Sequence, residues 1–209
     1  MSTSTPINTP TPVAHIPENT AQSRPTVRAP LVDLGTRVSH AMMALLFVLS
    51  YLTAESEYWR LVHVYSGYAL AGVLAFRFLW GWVGPTSARW ALLVRRLSMW
   101  PQWLSKLQQG EMLQRAVWVS GSSLVLATAV AGIYAFTVLA ILSGWATYNE
   151  WLGDGWLSDV LEELHEGLGN AVLAVVCVHL GLVVLIRAWR GPQAVRPMWQ
   201  GHANSVSRR

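Results

Sequence analysis

Thiol chemistry is almost missing from this sequence. Cys177 is its one cysteine in 209 residues, which excludes an intrachain disulfide, a C-x-x-C redox pair, a thiolate cluster site and covalent cofactor attachment through C-x-x-C-H. Cys177 itself reads as a small core residue. Charge is scarce as well: Asp, Glu, Lys and Arg make up 12% of the chain, with a net charge of +4. In so apolar a sequence that basic excess marks a cytoplasmic membrane face rather than a nucleic-acid surface, so no nucleic-acid partner is expected. The N-terminal stretch is rich in Ser, Thr, Pro and Asn and has no apolar h-region. Residues 1–30 therefore read as a disordered tail and not as a secretory signal peptide.

What the chain has is apolar length. Apolar residues make up 53% of it, with 12 tryptophans among them. Several runs reach the roughly 20 residues needed to cross about 30 Å of hydrocarbon. The first span, from about Leu34 to Ala54, carries HAMMALLFVLSYLTA, and the second, from about His63 to Gly84, reads HVYSGYALAGVLAFRFLWGWVG. Gly84-Pro85 ends it, because proline cannot continue the hydrogen-bond ladder. The third run is apolar from about Ala116 to Thr147, too long for one upright span. Gly121, Ser122 and Ser123 are expected to break it, with the membrane part starting near Leu124. The fourth runs from about His165 to Ile186 and stops at RAWRGP. The expected fold is all-α: an integral membrane four-helix bundle over residues 31–190, then a basic tail over 191–209.

Charge sets the direction of the spans. Arg89, Arg95, Arg96, Lys106 and Arg115 face one acid, Glu111, between Pro85 and Arg115, and five more arginines follow from Arg187 onward. The segment from Tyr148 to Glu166 carries six acids and no Lys or Arg. The positive-inside bias then puts both termini and the middle segment in the cytoplasm. Trp59, Trp80, Trp82, Trp145, Trp151, Trp156 and Trp189 cluster near span ends, as an interfacial aromatic belt does.

Four of the 6 histidines fall on these spans. A neutral imidazole costs free energy in hydrocarbon and normally has a partner or a purpose there. His63 and His165 each open a span running from outside to inside, so they share an outer level. His179 lies fourteen residues beyond His165, about 21 Å deeper and within about 40° of the same helix face. His40 lies fourteen residues before Ala54, on a span running the other way, at the depth of His179. An outer pair, His63 with His165, and an inner pair, His40 with His179, result. Each pair joins two helices, as bis-imidazole ligation across a bundle core requires. Two metal centres stacked across a bilayer are the expectation. His15 and His202, beyond the spans, read as solvated.

Gly67 and Gly169 each follow an outer histidine by four residues, and Ala44 follows His40 in the same way. Each clears the helix face one turn deeper, which suits a flat macrocycle and equally suits small-residue helix packing. Arg37 and Arg60 each precede a histidine by three residues. They sit one turn nearer the surface, where haem propionates would emerge or a plain interfacial anchor would lie. Arg77, fourteen residues after His63, is deep in the second span. An unpaired arginine there costs a few kcal/mol, so it is expected to meet a propionate, a quinone or a cluster of backbone groups.

The stretches HVYSGYALAGVLAFRFLWGWVGP and HEGLGNAVLAVVCVHLGLVVLIRAW, with RVSH ahead of them, resemble the bacterial cytochrome b561 and nickel-iron hydrogenase b-type cytochrome family. The resemblance runs from about Val32 to Met198. It implies a four-helix membrane cytochrome with two non-covalent b haems held by histidines on spans one, two and four. Those positions match His40, His63, His165 and His179. It also implies electron exchange between a periplasmic redox protein, a c-type cytochrome or a hydrogenase, and quinone in the bacterial cytoplasmic (inner) membrane. The Ser/Thr/Pro-rich tail and the GSS in the third span depart from the family pattern, and neither touches a ligand position.

Bis-histidine ligation fills both axial positions and favours electron transfer over chemistry at the iron. Relatives that oxidise superoxide and reduce quinone unaided offer a second reading, as a superoxide:quinone oxidoreductase. Against it, the outer loops hold eight acids and only Arg60, which suits a cationic protein partner better than an anion. A haem-free transporter or scaffold is a third reading. The paired depths and the accompanying arginines weigh against it.

Overall fold

The computed structural model describes residues 32–109, 115–153 and 155–190. The tails expected over 1–30 and 191–209, with His15 and His202, lie outside these, as does Asp154. The described elements are helical: α1 (Leu34–Thr53), a 3₁₀ turn (Glu57–Trp59), α2 (Arg60–Val83), α3 (Trp90–Leu97), α4 (Trp100–Gln108), α5 (Arg115–Tyr148) and α6 (Trp156–Arg190). Four of them, α1, α2, α5 and α6, are long and apolar enough to cross a membrane. The fold is the all-α four-helix bundle that the apolar runs predict.

Local chemistry sets the helix ends. Asp33 caps α1: its carboxylate accepts from the Thr36 amide at 3.0 Å and the Thr36 hydroxyl at 2.7 Å, which satisfies an orphan donor of the first turn. The same carboxylate accepts the Trp80 indole N–H at 2.7 Å, tying the start of α1 to the last turn of α2. Inside the helices, hydroxyls that hydrocarbon cannot solvate bond back to carbonyls one turn earlier. Ser39 donates to Thr36, Ser66 to His63 and Thr128 to Leu124 in this way.

The helices pack as two antiparallel hairpins, α1 with α2 and α5 with α6, which meet chiefly along α2 and α5. Leu70 and Leu74 of α2, Leu124 and Ala127 of α5, and Val172 of α6 are buried. Large apolar side chains such as Leu45, Leu52, Leu79, Leu142 and Val184 face outward instead, as lipid-facing residues do.

Two expectations need correction. α5 runs unbroken through Gly121, Ser122 and Ser123. The hydroxyls of Ser120, Ser122 and Ser123 each donate to a carbonyl three residues back, so they sit within the helix without competing for its ladder. Gly121 serves another purpose, since a Cβ there would meet the Trp103 ring at 2.7 Å. α6 starts at Trp156, nine residues before His165, so that histidine lies within a helix rather than opening one. The acidic stretch Asp159–Glu166 is its first, polar part.

The middle segment, expected only as a basic loop, forms α3 and α4, which pack against α5. Their indoles find acceptors in the spans: Trp90 donates to the Phe78 carbonyl, Trp100 to the Thr128 hydroxyl and Trp103 to the Val117 carbonyl. Gly81 makes room for Trp90, whose ring fills the place of a side chain there.

Candidate functional site

His63 on α2 and His165 on α6 come together at one end of the bundle. Their ring centroids are 6.0 Å apart and the planes cross at 80°. Each ring is held by its Nδ1. His63 Nδ1 lies 2.8 Å from the Ser50 carbonyl on α1, and His165 Nδ1 lies 2.9 Å from the Ala140 carbonyl on α5. A carbonyl only accepts, so both Nδ1 atoms carry the proton and both Nε2 atoms keep a lone pair. The Ser50 and Ser143 hydroxyls stand beside these contacts, at 3.3 and 3.2 Å from the respective Nδ1. Ser143 itself donates to Ala140 at 3.0 Å. Gly144 completes the seat of His165, because a Cβ there would meet the imidazole at 2.5 Å.

The inner histidines have a different setting. His40 on α1 and His179 on α6 are near enough for His40 to act electrostatically on His179. The Nδ1 of His179 is buried and has no hydrogen-bond partner among the described residues. The outer pair is thus braced by backbone carbonyls, a brace that His179 Nδ1 lacks among the described residues.

A family model for prokaryotic cytochrome b561 matches residues 31–201. The chain belongs to the prokaryotic cytochrome b561 family. No curated protein and no solved structure is similar enough to match. As a member, this protein is a multi-pass membrane b-type cytochrome that binds haem and transfers electrons, which sets aside the haem-free transporter or scaffold.

The residues of this cytochrome fit such a group. Two imidazoles binding one ion from opposite sides at about 2.0 Å have ring centroids roughly 6 Å apart, and the outer pair stands at 6.0 Å. Among the described residues no three His, Cys, Asp or Glu side chains gather as a metal site. Two imidazoles are too few for a bare structural ion and suit one whose equatorial donors come with it. At Gly67 and Gly169 an added Cβ would meet nothing within 4 Å, so those helix faces are clear beside the outer histidines.

The arginines divide. Arg60 pairs with Glu57 at 3.7 Å, both well exposed, as an interfacial anchor would. Arg37 is half-buried in the first turn of α1. Arg77 donates to the Ala88 carbonyl at 3.3 Å, lies 5.4 Å from the Trp90 ring centre and reaches the Tyr134 hydroxyl of α5. Of the partners expected for Arg77, a propionate, a quinone or a cluster of backbone groups, the structure shows one backbone carbonyl, joined by a ring and a hydroxyl.

Several contributors escaped the sequence reading. Ser50 and Ala140 act through backbone carbonyls, which no residue type signals. Gly144 has a weak signal in hindsight: it is a glycine inside an apolar span at the outer level. Tyr51 donates to Asn170 at 3.0 Å, linking α1 to α6 between the two histidine levels. A polar Asn inside an apolar run was the visible sign.

Proposed function

We propose that this cytochrome carries electrons between a periplasmic redox protein, a c-type cytochrome or a hydrogenase, and quinone in the bacterial cytoplasmic membrane. In this reading His63 and His165 would hold an outer b haem, and His40 and His179 an inner one. A haem held at each level would supply a one-electron carrier. What supports the reading is the outer pair itself: two nearly perpendicular rings, 6.0 Å apart, each bonded through Nδ1 to a carbonyl of a neighbouring helix. That bond fixes the tautomer and the ring orientation, so each Nε2 is ready to ligate without reorganisation.

The remaining residues orient and select. Gly67 and Gly169 keep bulk away from the ligand faces, and Tyr51 with Asn170 holds α1 to α6. Basic residues gather beside α3 and α4, while Glu150, Asp159, Glu162, Glu163 and Glu166 lie at the other end. This asymmetry supports cytoplasmic termini, with the acids outside. An acidic outer rim draws a basic redox protein and repels superoxide, so the carrier is preferred to an autonomous superoxide:quinone oxidoreductase. A pyridine haemochrome assay on the purified membrane protein should give two haems per chain, and the optical spectrum of the native protein should be six-coordinate, low-spin and indifferent to carbon monoxide. One haem per chain, or ready binding of carbon monoxide, overturns the pairing.

A further inference from the structure

Between α2 and α5 the chain carries charge of one sign. Arg89, Arg95, Arg96 and Lys106 fall there, and Glu111 is the only acid between Arg60 and Glu150. Glu111 lies outside the described residues. The helices of this segment, α3 and α4, have 8 and 9 residues, too few for the roughly 20 that cross a bilayer. They pack on α5 instead.

Between α4 and the first turns of α5 is a notch of about 60 Å³. One water needs about 10–15 Å³, so the notch admits a group of several non-hydrogen atoms. Arg96, Gln102, Trp103 and Lys106 line one side, and Ser120 and Ser123 the other. Trp103 forms a fixed wall: its indole donates to the Val117 carbonyl at 3.1 Å and lies over Gly121, where a Cβ would meet the ring at 2.7 Å. Arg96 stands in the last turn of α3 and Lys106 in the last turn of α4. Cations at helix C-termini relieve the dipole wherever they point; these two come from different helices and border one cavity. Both are exposed, and neither has a carboxylate partner among the described residues. Two cations around so small a space favour an anion, and the Gln102 amide adds a donor.

The surroundings of the notch separate a lipid from a free anion. Trp118, two residues before Ser120, meets Trp189 of α6 edge to face, and tryptophans gather at headgroup depth. α3 and α4 leave Leu92, Val94, Met99 and Leu104 exposed. A basic recess flanked by exposed apolar side chains at the end of a membrane span suits a charged head with hydrocarbon tails. Inorganic phosphate has no use for the apolar part.

We propose that the notch between α4 and α5 binds the phosphodiester of an anionic phospholipid. Arg96 and Lys106 supply the charge and Gln102 a donor, while the acyl chains run over the exposed apolar side chains of α3 and α4. A zwitterionic headgroup fits poorly, because it brings a third cation to two. The proposal stands apart from the number and place of the haems.

Native mass spectrometry of the full-length protein in detergent, titrated with palmitoyl-oleoyl phosphatidylglycerol or phosphatidylcholine, tests it. The phosphatidylglycerol adduct should form at the lower concentration. A basic residue beside an anionic lipid is worth roughly fivefold in affinity, so Arg96→Gln/Lys106→Gln should weaken that adduct about tenfold or more. Arg96→Lys/Lys106→Arg should keep it. Arg95→Gln, which removes a neighbouring charge that does not border the notch, should weaken it less than Arg96→Gln. Equal effects of those two single variants would reduce the binding to diffuse surface charge and overturn the proposal, as would equal affinity for the two lipids. Displacement of the lipid by millimolar inorganic phosphate would make the notch a free-anion site and overturns it too. A headgroup-photoactivatable phosphatidylglycerol needs no substitution and decides the matter if a variant fails to fold. Its label should fall within residues 96–106 and 117–124, and labelling elsewhere overturns the assignment.

Discussion

Asp33 and Trp80 meet through a 2.7 Å hydrogen bond, indole N–H to carboxylate, at the end of the bundle where α1 begins and α2 stops. Gly35 lets the two approach, since a Cβ there would strike the Trp80 ring at 2.8 Å. One carboxylate thus caps a helix and fastens a hairpin. Partial burial alone would raise the Asp33 carboxyl, but donation from the Thr36 hydroxyl, the Trp80 indole and the Thr36 amide outweighs it and holds the group below its ordinary range. A carboxyl depressed in the folded state contributes stability that is complete above its unfolded-state value and is lost as pH falls through the folded one. The native protein should therefore loosen at this end below about pH 4, and Asp33→Asn should lack that acid step. Asp33→Ala should cost about 2 kcal/mol, from the lost cap and the lost indole bond. Thermal unfolding in detergent across pH measures both.

Bulk at Gly67 and Gly169 tests the clear faces. Alanine at either site gains helix propensity, roughly 1 kcal/mol, and meets nothing. Leucine at both sites should leave the helix content intact and remove the outer haem, halving haem per chain. Full haem content in Gly67→Leu/Gly169→Leu would show that these faces do not border the cofactor.

Gly144 and Ser143 separate ring seating from side-chain hydrogen bonding. Gly144→Val should push His165 off the Ala140 carbonyl and abolish the low-spin signal of the outer centre. Ser143→Ala should change little, less than about 1 kcal/mol, because His165 keeps its carbonyl partner. Electron paramagnetic resonance of the two variants makes the comparison. Equal loss in both would assign the hydroxyl, not the carbonyl, as the brace.

Docking at the acidic outer end should respond to salt. The Debye length falls from about 30 Å at 0.01 M to about 10 Å at 0.1 M, so the rate with a basic redox partner should drop across that range. Glu162→Gln/Glu163→Gln should flatten the dependence. Stopped-flow rates that ignore both salt and substitution would remove electrostatics from the encounter.

The sequence carried the large-scale plan because that plan depends on hydropathy and on a fixed rise per residue. Span direction was enough to expect His63 beside His165, whose rings stand 6.0 Å apart. It misled at Gly121–Ser123, where residue types that often break helices bond to their own turns instead. It was silent on Ser50 and Ala140, since the working group there is a peptide carbonyl common to every residue. Tyr134 meets Arg77 from a different hairpin, a juxtaposition that only packing decides. The nine residues of α6 before His165 were hidden for a related reason: they are helical but polar, so hydropathy did not count them.

The hairpin arrangement bears on how the protein is made. α1 with α2, and α5 with α6, each close on themselves, so each half can enter the bilayer as a finished unit. Every histidine pair draws one member from each half: His63 and His40 from the first, His165 and His179 from the second. A group held by either pair, as proposed, would fasten the two halves to each other, adding to the seam that α2 and α5 already form and to the Tyr51–Asn170 bond.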